Sequence, residues 1–250
     1  MTEYLMTPQG HRLAFNRLPG HSPGIVFLGG FKSDMQGSKA SFLHDWAAAQ
    51  GRAFLRFDYS GHGQSSGAFD EGCIGDWRDD ARAAVETLTT GPQVLVGSSM
   101  GGWIALLLAR ELPARVAGLV GIAAAPDFTE RTWTEELTET QRAQVRTHGR
   151  IERPSDYAEA PYVFTRRLFE DGARQAVLTR PLALPFPARF LQGTADTDVP
   201  PAVALALLTH ASGPDLRLTL VKGADHRFSG PDELALIAAT LDEVLEHAAR

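Results

Sequence analysis

Short uninterrupted apolar runs alternate with longer stretches of helical period along most of the chain. Ile25-Val26-Phe27-Leu28, Ala53-Phe54-Leu55-Arg56-Phe57, Gln93-Val94-Leu95-Val96 and residues 116–122 are runs of the first kind. A short strand at Leu13-Ala14-Phe15-Asn16 precedes them, followed by a Pro- and Gly-rich turn over residues 19–24. Helices are predicted over about residues 38–50, 76–88 and from Gly101 to just before Pro113. In the second of these, Trp77, Ala81, Ala84, Val85 and Leu88 share one face. Strands apolar on both sides, alternating with helices, indicate the α/β class: a mostly parallel sheet covered by helices on both faces. Such sheets bind ligands at the carboxyl ends of their strands. Here those ends carry Gly29-Gly30-Phe31, Asp58, Ser99 and Asp127.

The alternation stops after Pro126 and charge rises. Residues 128–185 show no clear buried strand. Amphipathic helices are predicted over 132–146, with Trp133, Leu137 and Val145 apolar, and over 161–170, with Tyr162, Phe164, Leu168 and Phe169. Residues 181–187 form a proline-rich exit. The sheet resumes at 188–192, a helix is expected over 201–210, a last strand over 216–221, and a final helix from Pro231 onward. The expected organisation is one domain over residues 1–250 with a helical cap inserted at about 128–185. There is no internal repeat.

Composition narrows the function classes. A net charge of −6 without a basic stripe argues against nucleic acid as a partner. No apolar run approaches the ~18 residues of a membrane span. The single cysteine, Cys73, rules out an intrachain disulfide and a cysteine metal cluster, and fits a reducing, cytoplasmic setting. Residues 1–8 show no apolar or basic leader, so no signal or transit peptide is expected. No His-Glu-x-x-His spacing occurs, so neither metal nor cofactor is implied. Composition leaves the oligomeric state open.

The chemistry gathers around Gly97-Ser98-Ser99-Met100-Gly101, a Gly-bounded serine between a strand and a helix. That is the pattern of a nucleophile elbow, a tight turn that pushes a serine hydroxyl out of the sheet. Small residues are needed two before and two after the nucleophile. Ser99 has Gly97 and Gly101 there, whereas Ser98 would have Val96 and Met100, so Ser99 is the candidate. A serine nucleophile needs a base, and the base an acid. Of the histidines downstream of Ser99, only His226 follows a strand in a glycine-containing loop; His148, His210 and His247 fall in helices or the cap. Asp196, directly after a strand, is the preferred acid, ahead of Asp198 and Asp127. Asp225 reads as a loop hydrogen-bonder. The backbone N–H groups of Met100 and of Phe31, after Gly29-Gly30, are the candidate oxyanion donors. The Gly61/Gly63 loop lacks the Gly-Lys-Ser/Thr of a phosphate cradle.

Taken together, Gly29-Gly30-Phe31, Arg56–Ser65, Gly97-x-Ser99-x-Gly101, Gly193-x-x-Asp196-x-x-Val199-Pro200 and Asp225-His226 resemble the α/β-hydrolase superfamily over nearly the whole chain. Within it, Ser22-Pro23-Gly24, Gly91–Ser99, Gly101-Gly102-Trp103, Pro154-Ser155-x-Tyr157 and Asp225-His226-Arg227 are most similar to the mitochondrial abhydrolase-type palmitoyl-protein thioesterases, also known as acyl-glucuronide esterases. The resemblance implies a triad of Ser99, Asp196 and His226, with Phe31 and Met100 at the oxyanion hole. No transit peptide is expected and the cap residues differ, so the resemblance implies neither a mitochondrial location nor a long acyl chain.

The expected activity is cofactor-independent hydrolysis of carboxylic esters or thioesters, on a small-molecule or acylated-protein substrate. Trp133, Tyr157, Tyr162, Phe164 and Phe169 are candidates for the acyl pocket. The alternative is a non-catalytic ligand-binding receptor or pseudoenzyme on the same fold. Dehalogenase and epoxide hydrolase chemistry is disfavoured, because it would need an aspartate at the elbow.

Overall fold

The computed structural model describes residues 2–154 and 161–248. Eight strands form one sheet: β1 (Glu3–Met6), β2 (Arg12–Leu18), β3 (His21–Leu28), β4 (Arg52–Phe57), β5 (Gln93–Ser98), β6 (Val116–Ile122), and the later pair Ala188–Gly193 and Leu216–Val221. Two further strands, β7 (Arg150–Arg153) and β8 (Tyr162–Thr165), pair with each other, which makes the later pair β9 and β10. The main sheet runs in the order β1-β2-β4-β3-β5-β6-β9-β10. Only β1 and β2 are antiparallel additions at one edge; from β4 to β10 the strands are parallel.

The continuous apolar strands have two faces to bury, and alternate residues serve each. Ile25, Phe27, Phe54, Val94, Val96, Val120 and Ile122 form one core with helices α1 (Ser38–Ala49) and α8 (Pro231–Ala248). Val26, Leu28, Leu55, Phe57, Leu95 and Leu119 form the other with α2 (Ile74–Leu88) and α3 (Met100–Glu111). Trp77 of α2 and Trp103 of α3 are fully buried there. This is the period-two alternation of a pleated sheet covered on both sides.

Three local expectations change. Strand β1 escapes a search for apolar runs because it is an exposed edge strand, held by its register with β2. The helix expected over 132–146 is two pieces, a π turn (Thr132–Glu136) that continues a short α4 (Phe128–Arg131) and a separate α5 (Glu139–His148). Thr138 interrupts it, because its hydroxyl accepts from the Gln141 N–H at 3.2 Å while Gln141 Oε1 accepts from the Thr138 N–H at 2.9 Å. This reciprocal cap starts a new helix. The helix expected over 161–170 begins later, as α6 (Arg166–Arg174), with the Thr165 hydroxyl capping it. Tyr162-Val163-Phe164-Thr165 is strand β8, consistent with its aromatic and β-branched residues.

Among the described residues, the chain between β6 and β9 is therefore helices plus a two-stranded ribbon, and α7 (Pro201–His210) links β9 to β10. Helix α6 packs against α2 and α4, and the Asp171 carboxylate accepts from the Gly75 N–H at 2.6 Å. No helix among the described residues is long and apolar enough to cross a membrane.

Cys73 lies buried at the start of α2, where its N–H donates to the Asp76 carboxylate at 3.1 Å. Burial pushes its thiol up to about 12. Since the thiolate is the reactive form, the native protein should release no colour with Ellman's reagent at pH 8, and one equivalent per chain in guanidinium. Prompt reaction of the native protein would show that the α2 N-terminus opens readily.

Candidate active site

Strand β5 ends at Ser98, and Ser99 turns the chain into α3 with φ 54° and ψ −120°. A non-glycine residue at positive φ is strained, and such strain persists only where surrounding structure holds it. Here the Ser99 N–H donates to the Ile122 carbonyl at 2.9 Å, and its carbonyl accepts from Gly102 and Ala125 at 2.9 and 3.1 Å. The flanking glycines are sterically required, for two different reasons. A Cβ on Gly97 would stand 2.6 Å from the Gly101 carbonyl carbon, inside the turn itself. A Cβ on Gly101 would strike the backbone of Leu28 and Gly29 at the end of β3.

The loops after β9 and β10 are laced together. The Thr194 N–H donates to the Val221 carbonyl at 2.9 Å and the Ala195 N–H to the Ala224 carbonyl at 3.0 Å. Phe228, fully buried, anchors the second loop, and its N–H donates to the Asp225 carboxylate at 3.1 Å. This lacing sets His226 between the other two candidates. Its Nε2 lies 3.1 Å from Ser99 Oγ and its Nδ1 2.9 Å from Asp196 Oδ2.

The Asp196 side chain is fully shielded from solvent. Its Oδ1 accepts from the Asp198 and Val199 N–H groups at 3.0 and 2.8 Å, and its Oδ2 also accepts from Gln192 Nε2 at 2.9 Å. Burial alone would raise this carboxyl. The hydrogen bond and charge of His226, with the Val199 N–H and the Gln192 amide, outweigh it and hold the group below its ordinary value. An ionised acceptor at Nδ1 selects the Nδ1–H tautomer of His226, leaving Nε2 bare toward the serine hydroxyl.

The other aspartates have different work. Both carboxylate oxygens of Asp127 accept backbone N–H groups, from Val177 and Leu178 at 2.9 Å each, fixing the chain's return from the 128–185 segment. Asp198 lies close enough for Asp196, Asp198 and His226 to offer ligand atoms within 4.8 Å of one another. Its link to Asp196 is through its main-chain N–H. Asp225 caps its own loop, as expected.

Gly30 comes up against the elbow: a Cβ there would lie 3.5 Å from both the Ser98 carbonyl and Ser99 Cβ. Gly30 is thus beside the serine, and Gly30, Phe31, Ser99 and Met100 line one cleft. The Met100 N–H belongs to that first turn, whose donors have no partner within the helix. The Phe31 ring sits in an aromatic cluster, 4.7 Å from Phe69, 5.6 Å from Phe128 and Tyr162, and 5.5 Å from Phe164.

Ser99 and His226 open into a cleft of ≈960 Å³ whose apolar wall includes Phe31, Phe128, Tyr162 and Phe164. Tyr162 and Phe164 thus line the same cleft as the serine. Trp133 and Phe169 instead face each other, 5.1 Å apart, in the core beneath that wall. Tyr157 lies outside the described residues. Phe128 and the Phe31 side chain were not legible as wall residues, since Phe31 sits in the loop after β3 and Phe128 opens the one-turn helix α4, neither of them a periodic segment.

The comparisons with known proteins agree with this architecture. Residues 26–163 match the α/β hydrolase fold family. The chain is 34% identical over 244 residues to the palmitoyl-protein thioesterase ABHD10, mitochondrial, of Homo sapiens, covering 97% of this chain and 79% of that protein. A crystal structure of a protein from Agrobacterium vitis S4 superposes with a TM-score of 0.94 at 39% identity, covering 98% of each chain. Mouse α/β hydrolase domain-containing protein 10 superposes with 0.92 at 32% identity, again over 98% of each. With the sheet order, the elbow and these likenesses in hand, the chain belongs to the α/β-hydrolase family.

Proposed function

We propose that this chain is a serine hydrolase that cleaves carboxylic esters and thioesters through an acyl-enzyme. The observation that carries the reading is the continuous Ser99–His226–Asp196 hydrogen-bonded line, ending on a buried, ionised carboxylate. Ser99 Oγ attacks the acyl carbonyl carbon as His226 Nε2 takes the hydroxyl proton. The carbonyl π pair moves onto oxygen, where the Phe31 and Met100 N–H groups receive it; each such donor is worth about 3–4 kcal/mol. The tetrahedral intermediate collapses, the bond to the alkoxide or thiolate breaks, and His226 returns its proton to that leaving group. Water then repeats the sequence on the acyl-enzyme, its proton passing to His226 and on to Ser99. Asp196 holds the ring and stabilises the imidazolium in both halves.

We take residues 128–185 as the cap, with Phe128, Tyr162 and Phe164 as the apolar wall for the acyl group. The mammalian relatives named palmitoyl-protein thioesterase support a thioester among the substrates. The lone buried thiol accords with a cytoplasmic protein.

A fluorophosphonate probe should add once per chain, on the peptide carrying Ser99. A panel of acyl chains from acetyl to palmitoyl, each as oxyester and thioester, should then show turnover that labelling blocks. A protein that binds these compounds but neither reacts with the probe nor turns them over would be a receptor on a hydrolase fold, and the proposal would fall.

A further inference from the structure

His62 stands between two glycines that have their own steric reasons. A Cβ on Gly61, at φ 73°, would meet the backbone of Ala68 and Phe69 at 2.8–2.9 Å, and one on Gly63, at φ 46°, would strike the Asp58 carboxylate. The turn they make buries the His62 ring, 3% exposed, edge-on to Phe69 and Trp77, both 5.1 Å away. Phe31 rests on these same two rings, at 4.7 and 5.8 Å.

The ring's nitrogens have complementary partners. Nε2 lies 3.2 Å from the Lys32 N–H, which only donates; Nδ1 lies 3.1 Å from the Ser60 carbonyl, which only accepts. One neutral tautomer satisfies both: Nδ1–H to Ser60, with bare Nε2 toward Lys32. Burial lowers the imidazole to about 4, against the opposing pull of the Ser60 carbonyl, so the ring stays neutral at physiological pH. Lys32 is itself at φ 58°, a strained conformation for a side-chain-bearing residue. A second tether lies three residues on, where Asp58 Oδ1 accepts from the Met35 N–H at 2.6 Å.

Resting on the reading of Ser99 as nucleophile and Phe31 as oxyanion donor, we propose that His62 is a positioning residue for the oxyanion hole. By accepting the Lys32 N–H, its Nε2 holds the strained Phe31–Lys32 peptide so that the preceding N–H, that of Phe31, stays aimed at the position of the developing oxyanion. The ring touches no substrate. Its effect is confined to the transition state, because the Phe31 N–H is needed most when charge has moved onto the carbonyl oxygen.

The test compares wild type with His62→Phe, which keeps an aromatic ring beside Phe69 and Trp77 but has no acceptor, and His62→Gln, whose amide oxygen reaches the Nε2 position. His62→Phe is expected to lower kcat about 10²-fold, the scale of a displaced catalytic group, with KM little changed. Its Ki for a trifluoromethyl ketone, which forms an oxyanion on Ser99, should rise by the same factor. Gln should regain most of both. A loss confined to KM, a Ki that does not move, or a Gln variant as impaired as Phe would overturn the proposal. Should the Phe variant not fold, nitrogen-15 NMR of the wild-type imidazoles decides: His62 protonated at Nδ1 and bare at Nε2 supports the proposal, and the opposite tautomer refutes it. Wild type that fluorophosphonate does not label at Ser99 would instead remove the underlying reading, a result distinct from labelled wild type with an unimpaired His62→Phe.

Discussion

Ser99→Ala is expected to lower kcat about 10⁶-fold, equivalent to about 8 kcal/mol of lost transition-state stabilisation, and to abolish fluorophosphonate labelling. The size of the loss follows from the geometry. With the hydroxyl gone, His226 Nε2 has no nucleophile to deprotonate at 3.1 Å, and what remains is the binding cleft and the two candidate oxyanion donors. The fold should not suffer. The strained turn at Ser99 is held by main-chain bonds to Ile122, Gly102 and Ala125, none of which needs the hydroxyl. Circular dichroism and Tm should therefore match wild type. Residual labelling at another serine, or activity within tenfold of wild type, would remove Ser99 from the mechanism.

Asp196→Asn is expected to cost about 10⁴-fold in kcat, and Asp198→Asn far less. The reason is a conflict of donors. Four groups donate to the Asp196 carboxylate: the Asp198 and Val199 N–H groups on one oxygen, Gln192 Nε2 and His226 Nδ1 on the other. An asparagine turned to satisfy the two main-chain donors presents its NH₂ to His226. The ring must then accept at Nδ1 and carry its proton on Nε2, where it cannot deprotonate Ser99. Asp198 supports the acid through its backbone N–H, which the asparagine substitution leaves intact. Comparing kcat for the two variants decides between them, and the reverse order would move the acid to Asp198.

A linked effect concerns acid stability. The Asp196 carboxyl is depressed in the folded protein. Its contribution to stability is therefore complete above the unfolded-state value, ~3.9, and is lost as pH falls through the lower folded value. The asparagine variant lacks that contribution at every pH.

Local covalent and steric rules made the elbow legible. Gly97-x-Ser99-x-Gly101 between an apolar strand and an apolar helix admits one nucleophile, because a side chain at Gly97 collides within the five-residue turn itself. Continuous apolar strands alternating with helices announced a parallel sheet covered on both sides, since only such a sheet buries every residue of a strand such as β5. The chain order of serine, acid-bearing loop and histidine loop was readable for the same reason: each follows a strand recognisable by its own composition.

What escaped the sequence depends on contacts between distant segments. The ribbon β7–β8 joins residues about a dozen apart; β7 carries one apolar residue, Ile151, and the apolar Tyr162 and Phe164 of β8 also fit the face of a helix until the pairing with β7 is seen. Trp133 and Phe169 share the apolar pattern of Tyr162 and Phe164, yet the fold turns the first two into each other and the second two into the cleft. Asp127 and Asp196 both follow strands; only the placement of Val177 and Leu178 beside one, and of His226 beside the other, gives them different tasks. His62 reads as a turn residue until Lys32, thirty positions earlier, is seen to donate to it. The sequence by itself determined which turn carries the serine, because that turn's sterics act over five residues. The tertiary structure alone set Asp196 rather than Asp127 against His226, turned Tyr162 and Phe164 into the cleft, and brought His62 to the Lys32 N–H. Those choices rest on hydrogen bonds and ring contacts that form only when the loops after separate strands meet at one edge of the sheet.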